Sequence, residues 1–418
     1  MNVKTIEQVY NNSLRQATQA ASQDNRKLPT AARLERLLKL APEDVSGGRH
    51  RIRLYRFLSD SIPSVSAGIW TWVRLTAAPV KLVADPAASS PMQERAGRVL
   101  ERLERRLYPR PDNRYADLQR LVTDVCLHMY RDGGFGTFLT VLADGSGIDR
   151  VIPVDPAVIG VDLVGGRQRL VMQGENESMS LDRPDFYHLP IGSGVDDPFG
   201  RSLLAGIPFV AFIEQQLVDD MRRATHNAGY HRLHVRITPP ERHAGESDRA
   251  YTDRINEYFD STVNMIRSCQ TEDNPVTWDN VAIEYIGPSG VRSQSNSWFF
   301  NHRAMIEEIC GGMNLSPFLL GYSYGATTTW SAFKFDMVMR QVRSVQQQVA
   351  AFLEWIGNIE LALARVPVAC RARFDNSFSY QAKEQAEIQS ARTDNLLKLH
   401  EAGLIDQSTA QAEAARLL

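Results

Sequence analysis

The segment that decides the fold is residues 330–365, WSAFKFDMVMRQVRSVQQQVAAFLEWIGNIELALAR. It contains no proline and a single glycine, Gly357. Its apolar residues repeat at spacings of three and four, which places them on one face of a helix. They are Val338, Val342, Val345, Val349, Phe352, Ile356, Ile359 and Leu363. At about 1.5 Å per residue, this helix would be on the order of 50 Å long. Such a length is typical of a scaffold or a strut.

A second helix is predicted after the turn DDPFGRSLL at residues 196–204. The apolar positions that follow the turn also share one helical face. They are Leu203, Ile207, Val210, Ile213, Leu217 and Met221. We expect Ser202 to cap this helix of about residues 203–225, with Pro208 in its first turn or at a kink.

Composition limits the size and class of the protein. The chain has 418 residues and a mass of 46.9 kDa, which is enough for two or three packed units. Its 47 basic and 49 acidic residues give a net charge of −2, so no global basic field attracts nucleic acid, and any DNA contact must be local or geometric.

Cysteine usage and hydropathy indicate a cytosolic environment. Cys126, Cys269, Cys310 and Cys370 are far apart in sequence and are predicted to be small buried hydrophobes in a reducing compartment. The N-terminal residues lack an apolar signal core, and the longest apolar runs are too short to span a membrane. We therefore expect a protein made in the cytosol, with no contact to a membrane.

The first two hundred residues are predicted to form a helical layer followed by short strands. Helical patterns cover about 57–78 and 91–107, and a third helix runs from the turn at 109–113 to about Tyr130. Strand-like segments follow at 137–142, 150–155, 158–163, 168–173 and 186–190. Arg49, Arg51, Arg53 and Arg56 lie in an alternating stretch, which predicts arginines on one face of a strand at a solvated edge.

The middle of the chain predicts a small α+β insert between two helices. A strand at 230–237, a helix at about 247–269 and strands near 275–286 make up this insert. Asn296 or Ser297 is expected to cap the second flanking helix, which ends at Gly311-Gly312. The predicted fold class is therefore α+β and mainly helical.

Several short motifs, in this order, resemble the portal proteins of tailed bacteriophages. They are IPSV at 62–65 with WTWV at 70–73, DPFGRSLL at 197–204, NAG at 227–229, NLSPFLLG at 314–321, EAGLID at 401–406 and EAAR at 413–416. The resemblance covers about residues 55–418 and rests on their order and spacing more than on any one motif.

The resemblance implies a portal fold with named parts. An N-terminal arm and wing would span residues 1–202, stem helices 203–228 and 296–315, and a clip 229–295. A tunnel loop region would span 316–329, a long helix and further wing 330–380, with the long wing helix at about 329–365, and a short crown 381–418. The clip contains seven arginines and ten acidic residues, a mixed charge that suits reversible protein docking.

The resemblance also implies a structural function without a cofactor. The family forms a homo-oligomeric ring, usually of twelve copies, at one capsid vertex of the virion, after assembly in the host cytoplasm. The ring is the channel for DNA packaging and ejection. Its expected partners are the terminase large subunit, head-tail adaptor proteins, the major capsid or scaffolding protein, and double-stranded DNA bound without sequence specificity. The chain has no Gly-x-x-x-x-Gly-Lys-Ser/Thr motif, so the packaging ATPase must be another protein.

Candidates for lining the DNA channel come from two places in the sequence. The tunnel loop region offers uncharged hydroxyls that could touch DNA without holding it: Tyr322, Tyr324, Thr327, Thr328 and Thr329. The stem helices offer Arg222, Arg223, His302 and Arg303 for scattered phosphate contacts. The alternative for each basic residue is a solvated position or an ion pair between subunits.

The main enzymatic alternative is a serine hydrolase. Residues 321–325, GYSYG, match the Gly-x-Ser-x-Gly nucleophile elbow at Ser323, and Asp375 or Asp394 with His400 follow in the required order. An elbow needs a buried strand before the serine, whereas the sequence before it contains Pro317 and is mostly helical in pattern. We therefore predict no catalytic residue. A cytosolic helical scaffold without DNA is the other alternative.

A metal site is not predicted either. His226, His231, His234 and His243 are close in sequence. On a strand, however, His231 and His234 would point to opposite faces, so a shared ion is not expected.

Overall fold

The computed structural model describes residues 34–35, 49–107, 118–164, 167–173, 178–194, 199–229, 232–268, 281–286, 291–322, 327–375, 382–403 and 406–407. The chain divides into two compact units. The first contains residues 1–215 and 304–418, and the second contains residues 216–303. The second unit is thus an insertion in the sequence of the first.

From residue 49 onwards, the described part of the first unit starts with four helices and one strand. They are α1 (Arg49–Ser61), α2 (Pro63–Thr76), β1 (Val80–Ala84), α3 (Ser90–Glu104) and α4 (Leu118–Asp132). Pro63 lies at the first position of α2, where its missing N–H costs no hydrogen bond. The helix α2 buries Val65, Ile69 and Trp72, and it packs against both α1 and α4.

The prediction of a strand with alternating arginines at 49–56 was wrong, because these residues belong to α1. Ile52, Tyr55 and Leu58 are buried, and their spacing of three is that of a helix face packed on a core. Arg51 and Arg53 are exposed beside that face. The spacing of two between Arg51 and Arg53 therefore reflects only their exposed positions on the helix and does not mark a strand.

Two small antiparallel sheets follow α4. Their strands are β2 (Gly134–Val141), β3 (Ile148–Val154), β4 (Ile159–Val164), β5 (Arg167–Gln173), β6 (Ser178–Ser180) and β7 (Phe186–Pro190). One sheet has the order β3-β2-β7 and the other the order β4-β5-β6. In the first sheet, Phe138 pairs with Ile152 on one side and with Phe186 on the other. The predicted strands in this region are confirmed.

Residues 199–202, the described part of the predicted turn before Leu203, lead into a 3-10 helix at Leu203–Gly206 and then into α5 (Pro208–Gly229). The Ser202 hydroxyl accepts a hydrogen bond of 3.0 Å from Leu204 N, so this serine caps the 3-10 helix. Pro208 is the first residue of α5, a position that proline tolerates. The α-helix therefore begins five residues later than predicted.

The second unit contains the later part of α5, β8 (Arg232–Ile237), α6 (Asp248–Ser268), β9 (Val281–Ile286) and the early part of α7 (Val291–Gly312). The strands β8 and β9 pair antiparallel. The helix α7 begins before the predicted caps Asn296 and Ser297, because residues 291–295 contain no proline or glycine to stop it. It ends at Gly312, as predicted.

The first unit resumes with a 3-10 helix at Pro317–Leu320, followed by α8 (Thr328–Leu363), β10 (Cys370–Phe374) and α9 (Ala382–Glu401). The long helix α8 has 36 residues, so its existence and length confirm the prediction. The apolar stripe from Val338 to Ile356 is buried in the main hydrophobic core of this unit. The strand β10 pairs antiparallel with β1, which joins the two sequence segments that make up this unit.

Three of the four cysteines are buried thiols, as predicted: Cys126, Cys310 and Cys370. Burial raises the pKa of Cys126 and of Cys370 to about 12, so both are inert at neutral pH. Cys269 lies outside the described residues. The mainly helical α+β class is confirmed, whereas the division into wing, stem, clip and crown remains a prediction.

Candidate channel and docking residues

The two predicted stem arginines pair with an acid on their own helix. On α5, an Nη of Arg222 lies 2.9 Å from Asp219 Oδ1, and an Nη of Arg223 lies 2.8 Å from Asp219 Oδ2. Both arginine side chains are largely exposed, at 70% and 64%. The hydrogen bond from Arg222 holds the pKa of Asp219 below its usual value. Exposed pairs of this kind contribute little to stability, so either guanidinium can exchange Asp219 for another anion.

His302 and Arg303 lie on α7 within the second unit and are half-buried. Each already interacts with another group of the chain. They are therefore less available to a phosphate than Arg222 and Arg223 are.

The tunnel loop candidates divide into helical and non-helical residues. Thr327 caps α8, since its hydroxyl accepts a hydrogen bond of 3.4 Å from Trp330 N. Thr328 and Thr329 are the first residues of that helix, and Thr329 is exposed. Tyr322 is half-buried, and its backbone N–H donates to Pro317 O at 3.1 Å. Tyr324 lies outside the described residues.

The structural context of a nucleophile elbow is missing before Ser323, which itself lies outside the described residues. The described segment that precedes it, residues 291–322, consists of α7, a connecting turn and the 3-10 helix, with no strand. An elbow places its serine between a strand and a helix. Asp394 and His400 lie on α9, and Asp375 follows β10.

Neither a metal site nor a membrane span is found in the described part of the chain. No group of three or more histidine, cysteine, aspartate or glutamate side chains there could hold a metal ion. No helix there is long and apolar enough to cross a bilayer.

The long helix is fixed to the rest of its unit by buried polar contacts. Glu360, which is 2% exposed, accepts hydrogen bonds from an Arg106 Nη at 2.5 Å and from Ile148 N at 2.6 Å. Gln346 donates to Thr76 O at 3.0 Å, so α8 is tied to α2 as well. The sequence analysis did not predict a role for Glu360 or Gln346. Their positions beside the apolar stripe of the helix could have indicated that they are buried.

A second polar cluster joins α1, α4 and the turn after β3. One Nη of Arg56 lies 2.8 Å from Asp132 Oδ2 and 2.6 Å from Asp155 Oδ1. His128 and Arg131 also contact Asp132, at 2.7 and 2.9 Å. Burial raises the pKa of Asp132, but the hydrogen bonds from His128, Arg131 and Arg56 outweigh burial and hold the pKa well below its usual value. The cluster is therefore a partly buried network of charged side chains that links three segments of the first unit.

The DPFGRS motif fixes the segment that leads into α5. Gly200 has φ 88°, and a Cβ there would lie 2.2 Å from Gly133 O. Ile191 N donates to the same Gly133 oxygen at 3.0 Å, and the Ser202 hydroxyl donates to Arg131 O at 2.6 Å. Gly200 and Ser202 therefore hold the residues just before α5 in close contact with the end of α4.

The fold has similar relatives among solved structures. A chain in the neck of the empty GTA particle, computed with C6 symmetry, matches 89% of this chain and 95% of its own length with a TM-score of 0.58 and 14% identity. A chain in the neck of the native particle, computed with C12 symmetry, matches 88% of this chain and 94% of its own with a TM-score of 0.57 and 14% identity. This chain shares their fold.

Two further solved structures are similar to this chain over different shares of its length. A chain of the virion of the native gene transfer agent matches 95% of this chain and 97% of its own with a TM-score of 0.52 and 14% identity. An HK97 family phage portal protein from Corynebacterium diphtheriae matches 76% and 94% at 12% identity, but its TM-score of 0.43 is too low to show a shared fold. No protein-family model matches the sequence, and no curated protein matches it.

Proposed function

We propose that this chain is a portal protein, a structural subunit of a ring at one vertex of a phage-like particle. The observation that carries the proposal is the shared fold over 89% of the chain with a chain in the neck of the GTA particle. That likeness agrees with the resemblance of the sequence motifs to portal proteins, which was read from the residues independently.

The ring is proposed to be homo-oligomeric, with twelve copies. The particle neck that shares the fold was computed with C6 and with C12 symmetry, and a C12 ring also contains C6 symmetry. Closing such a ring requires a head-to-tail contact between two unlike surfaces of every subunit. A long, fixed helix such as α8 supplies the stiffness that a repeated contact needs.

DNA is proposed to pass through the ring without sequence-specific binding. The net charge of −2 supports weak, non-specific contact, because DNA can slide through a channel only if the channel binds phosphate weakly. Arg222 and Arg223 are the favoured phosphate contacts, since their pairs with Asp219 are exposed. The hydroxyls of Thr329 and Tyr322 are the favoured neutral contacts in the tunnel loop region.

Further partners follow from the same proposal. The terminase large subunit would supply the ATPase and dock on the clip, together with head-tail adaptor proteins. The major capsid or scaffolding protein would surround the ring in the assembled virion, after assembly in the host cytoplasm. The chain itself is proposed to have no enzymatic activity, which the helical context before Ser323 supports.

The position of the protein in particles tests the proposal. Particles from a strain that encodes the chain with a short C-terminal tag would be labelled with gold-conjugated antibody to the tag and to the major capsid protein. We expect the tag label at one vertex of each particle, where the tail joins, and capsid label over the whole shell. Tag label spread over the shell, or found only outside particles, would contradict the proposal.

A further inference from the structure

The first three turns of α8 carry apolar side chains on the exposed face as well as on the buried face. Trp330, Phe333 and Met337 are 52%, 56% and 43% exposed, and their spacing of three and four places them in one row. The Trp330 and Phe333 rings are neighbours, with centroids 6.0 Å apart. We call these three residues the aromatic ridge.

The ridge ends sharply within the same helix. The exposed row continues after Met337 with Arg340, Ser344 and Gln347, which suit contact with water. The opposite face of the first three turns is buried through Phe335 and Val338. A helix segment that is apolar on both faces is expected to be covered on both, so the ridge requires a partner that the later turns do not.

Contacts within α8 and its N-cap restrict the Trp330 side chain and the first turn before any partner binds. The Lys334 Nζ lies 4.8 Å from the centroid of the Trp330 ring, a cation–π contact that orients the ring. The cap by Thr327 fixes the first turn through Trp330 N. Little side-chain freedom is then lost on binding, which favours affinity.

We propose that the aromatic ridge packs against a second copy of this chain, at the contact between neighbouring subunits. The inference rests on the proposed function, because a closed head-to-tail ring covers the ridge of every copy with a neighbouring copy. A head-to-tail contact joins unlike surfaces. The same chain presents other exposed aromatic rings that could receive the ridge, namely Phe209 on α5 and Phe299 and Phe300 on α7, which are 67%, 60% and 63% exposed.

The size of the ridge fits the centre of a larger contact. Fully burying an aromatic side chain removes about 150 to 250 Å² from water, so three half-exposed side chains offer roughly 300 Å². A stable interface buries about 800 Å² on each partner. The ridge is therefore a hot spot surrounded by further contacts, and removing it should weaken the whole interface.

Ring formation by a double variant tests the inference. Trp330→Ser combined with Phe333→Glu removes the two rings, and Gln347→Glu adds the same charge to the same exposed row as a matched control. Mass photometry across a dilution series would give the concentration at which rings dissociate. We expect the unaltered chain and the control to dissociate together, and the double variant at a concentration at least about tenfold higher, the effect of losing one hot spot.

A second measurement protects the test against misfolding of the double variant. Phe333→Cys in a Cys269→Ser background would be labelled with a maleimide in rings and in dissociated subunits. Cys269→Ser alone gives the background labelling, since Cys126, Cys310 and Cys370 are buried. We expect labelling of Cys at this position to slow at least about tenfold in rings, as interface burial requires.

The outcomes separate the inference from the proposed function. Equal dissociation of the double variant and the unaltered chain, or equal labelling in rings and free subunits, would overturn the inference and leave the ring intact. Equal weakening by the Gln347→Glu control would also overturn it, because the effect would then not belong to the ridge. Failure of the unaltered chain to form any ring would overturn the proposed function, and the inference with it.

Discussion

An Arg106 Nη lies 2.5 Å from Glu360 Oε1 and joins residues 254 positions apart in sequence. The other carboxylate oxygen of Glu360 accepts from Ile148 N at 2.6 Å, so one side chain ties α8 to the end of α3 and to the start of β3. Glu360 is almost fully buried, whereas Arg106 is 36% exposed. The contact therefore holds the C-terminal half of the long helix in place from inside the unit.

Replacing Glu360 with glutamine should destabilise the first unit. Glutamine keeps the shape, but it removes the charge that strengthens both hydrogen bonds and turns one acceptor into a donor facing Ile148 N or Arg106. We expect a loss of about 1 to 3 kcal/mol in the free energy of unfolding, measured by urea denaturation. The control Glu101→Gln breaks a pair with Arg105 in which Glu101 is 62% exposed, and should cost less than about 0.5 kcal/mol. Equal losses in the two variants would contradict this role of Glu360.

Acid should destabilise the protein in two separate pH ranges. Burial lowers the pKa of His188 from 6.5 to about 4, so the folded state holds this histidine neutral while the unfolded state binds a proton below 6.5. The stability gained by keeping His188 neutral is fully present above pH 6.5. It is lost as pH falls from 6.5 towards 4, at up to about 1.4 kcal/mol per pH unit. His188→Gln should flatten stability in this range, as measured by denaturant midpoints at pH 7, 6 and 5. An unchanged slope would exclude His188 as the cause.

Asp132 should account for a second loss of stability, below about pH 4. Its pKa is depressed in the folded state from the ordinary value of 3.8, so its contribution is present above that value and is lost as pH falls below it. Asp132→Asn should lower stability at pH 7 by about 3 to 5 kcal/mol, because Arg56 and Arg131 lose a buried partner. It should also flatten the fall in stability below pH 4. A variant as stable as the unaltered chain at pH 7 would contradict the structural role of this cluster.

The turn before α5 should not tolerate a side chain at Gly200. Alanine there would meet Gly133 O at 2.2 Å and would adopt φ 88°. The control Gly145→Ala has a similar backbone, with φ 69°, but nothing within 4 Å of the added Cβ. We expect about 1 kcal/mol of destabilisation from the backbone alone in the control and at least about 2 kcal/mol more at Gly200. Equal costs would show that close approach to Gly133 is unimportant.

Charge reversal at the two stem arginines tests the proposed DNA contact. Arg222→Glu with Arg223→Glu should reduce the DNA content of particles, because three acids, including Asp219, would then face phosphate. The control Arg98→Glu reverses an arginine on α3 that is 69% exposed and also pairs with an acid of its own helix, Glu94. Packaged DNA would be measured by nuclease protection, with ring formation checked in parallel. Normal packaging by intact rings of the double variant would remove both residues from the channel.

The sequence was sufficient to predict elements whose apolar pattern has a clear period. The stripe of α8 follows a spacing of three and four from Val338 to Leu363, and no strand could display it. By contrast, α1 was predicted as a strand because its charged residues alternate, although Ile52, Tyr55 and Leu58 already had helical spacing. The apolar residues, which form the buried face, were the better guide because burial determines the element.

Contacts between distant segments could not be predicted from one sequence. Nothing near Glu360 indicates that its partners would be Arg106 and Ile148, since the three meet only once the helices and sheets are packed. The same holds for Arg222 and Arg223, whose pair with Asp219 follows from helical spacing but whose proposed role depends on neighbouring subunits. Channel residues are properties of an assembly, so the periodicity of one chain cannot identify them.

A portal subunit must form a closed ring, and the rotational symmetry of the purified protein shows whether it does. Negative-stain electron microscopy of the full chain, with particles sorted by rotational symmetry, would give this symmetry. We expect closed rings, with twelve copies in the main class and a central hole wide enough for duplex DNA. Only compact monomers or small oligomers, across a range of protein and salt concentrations, would contradict this expectation.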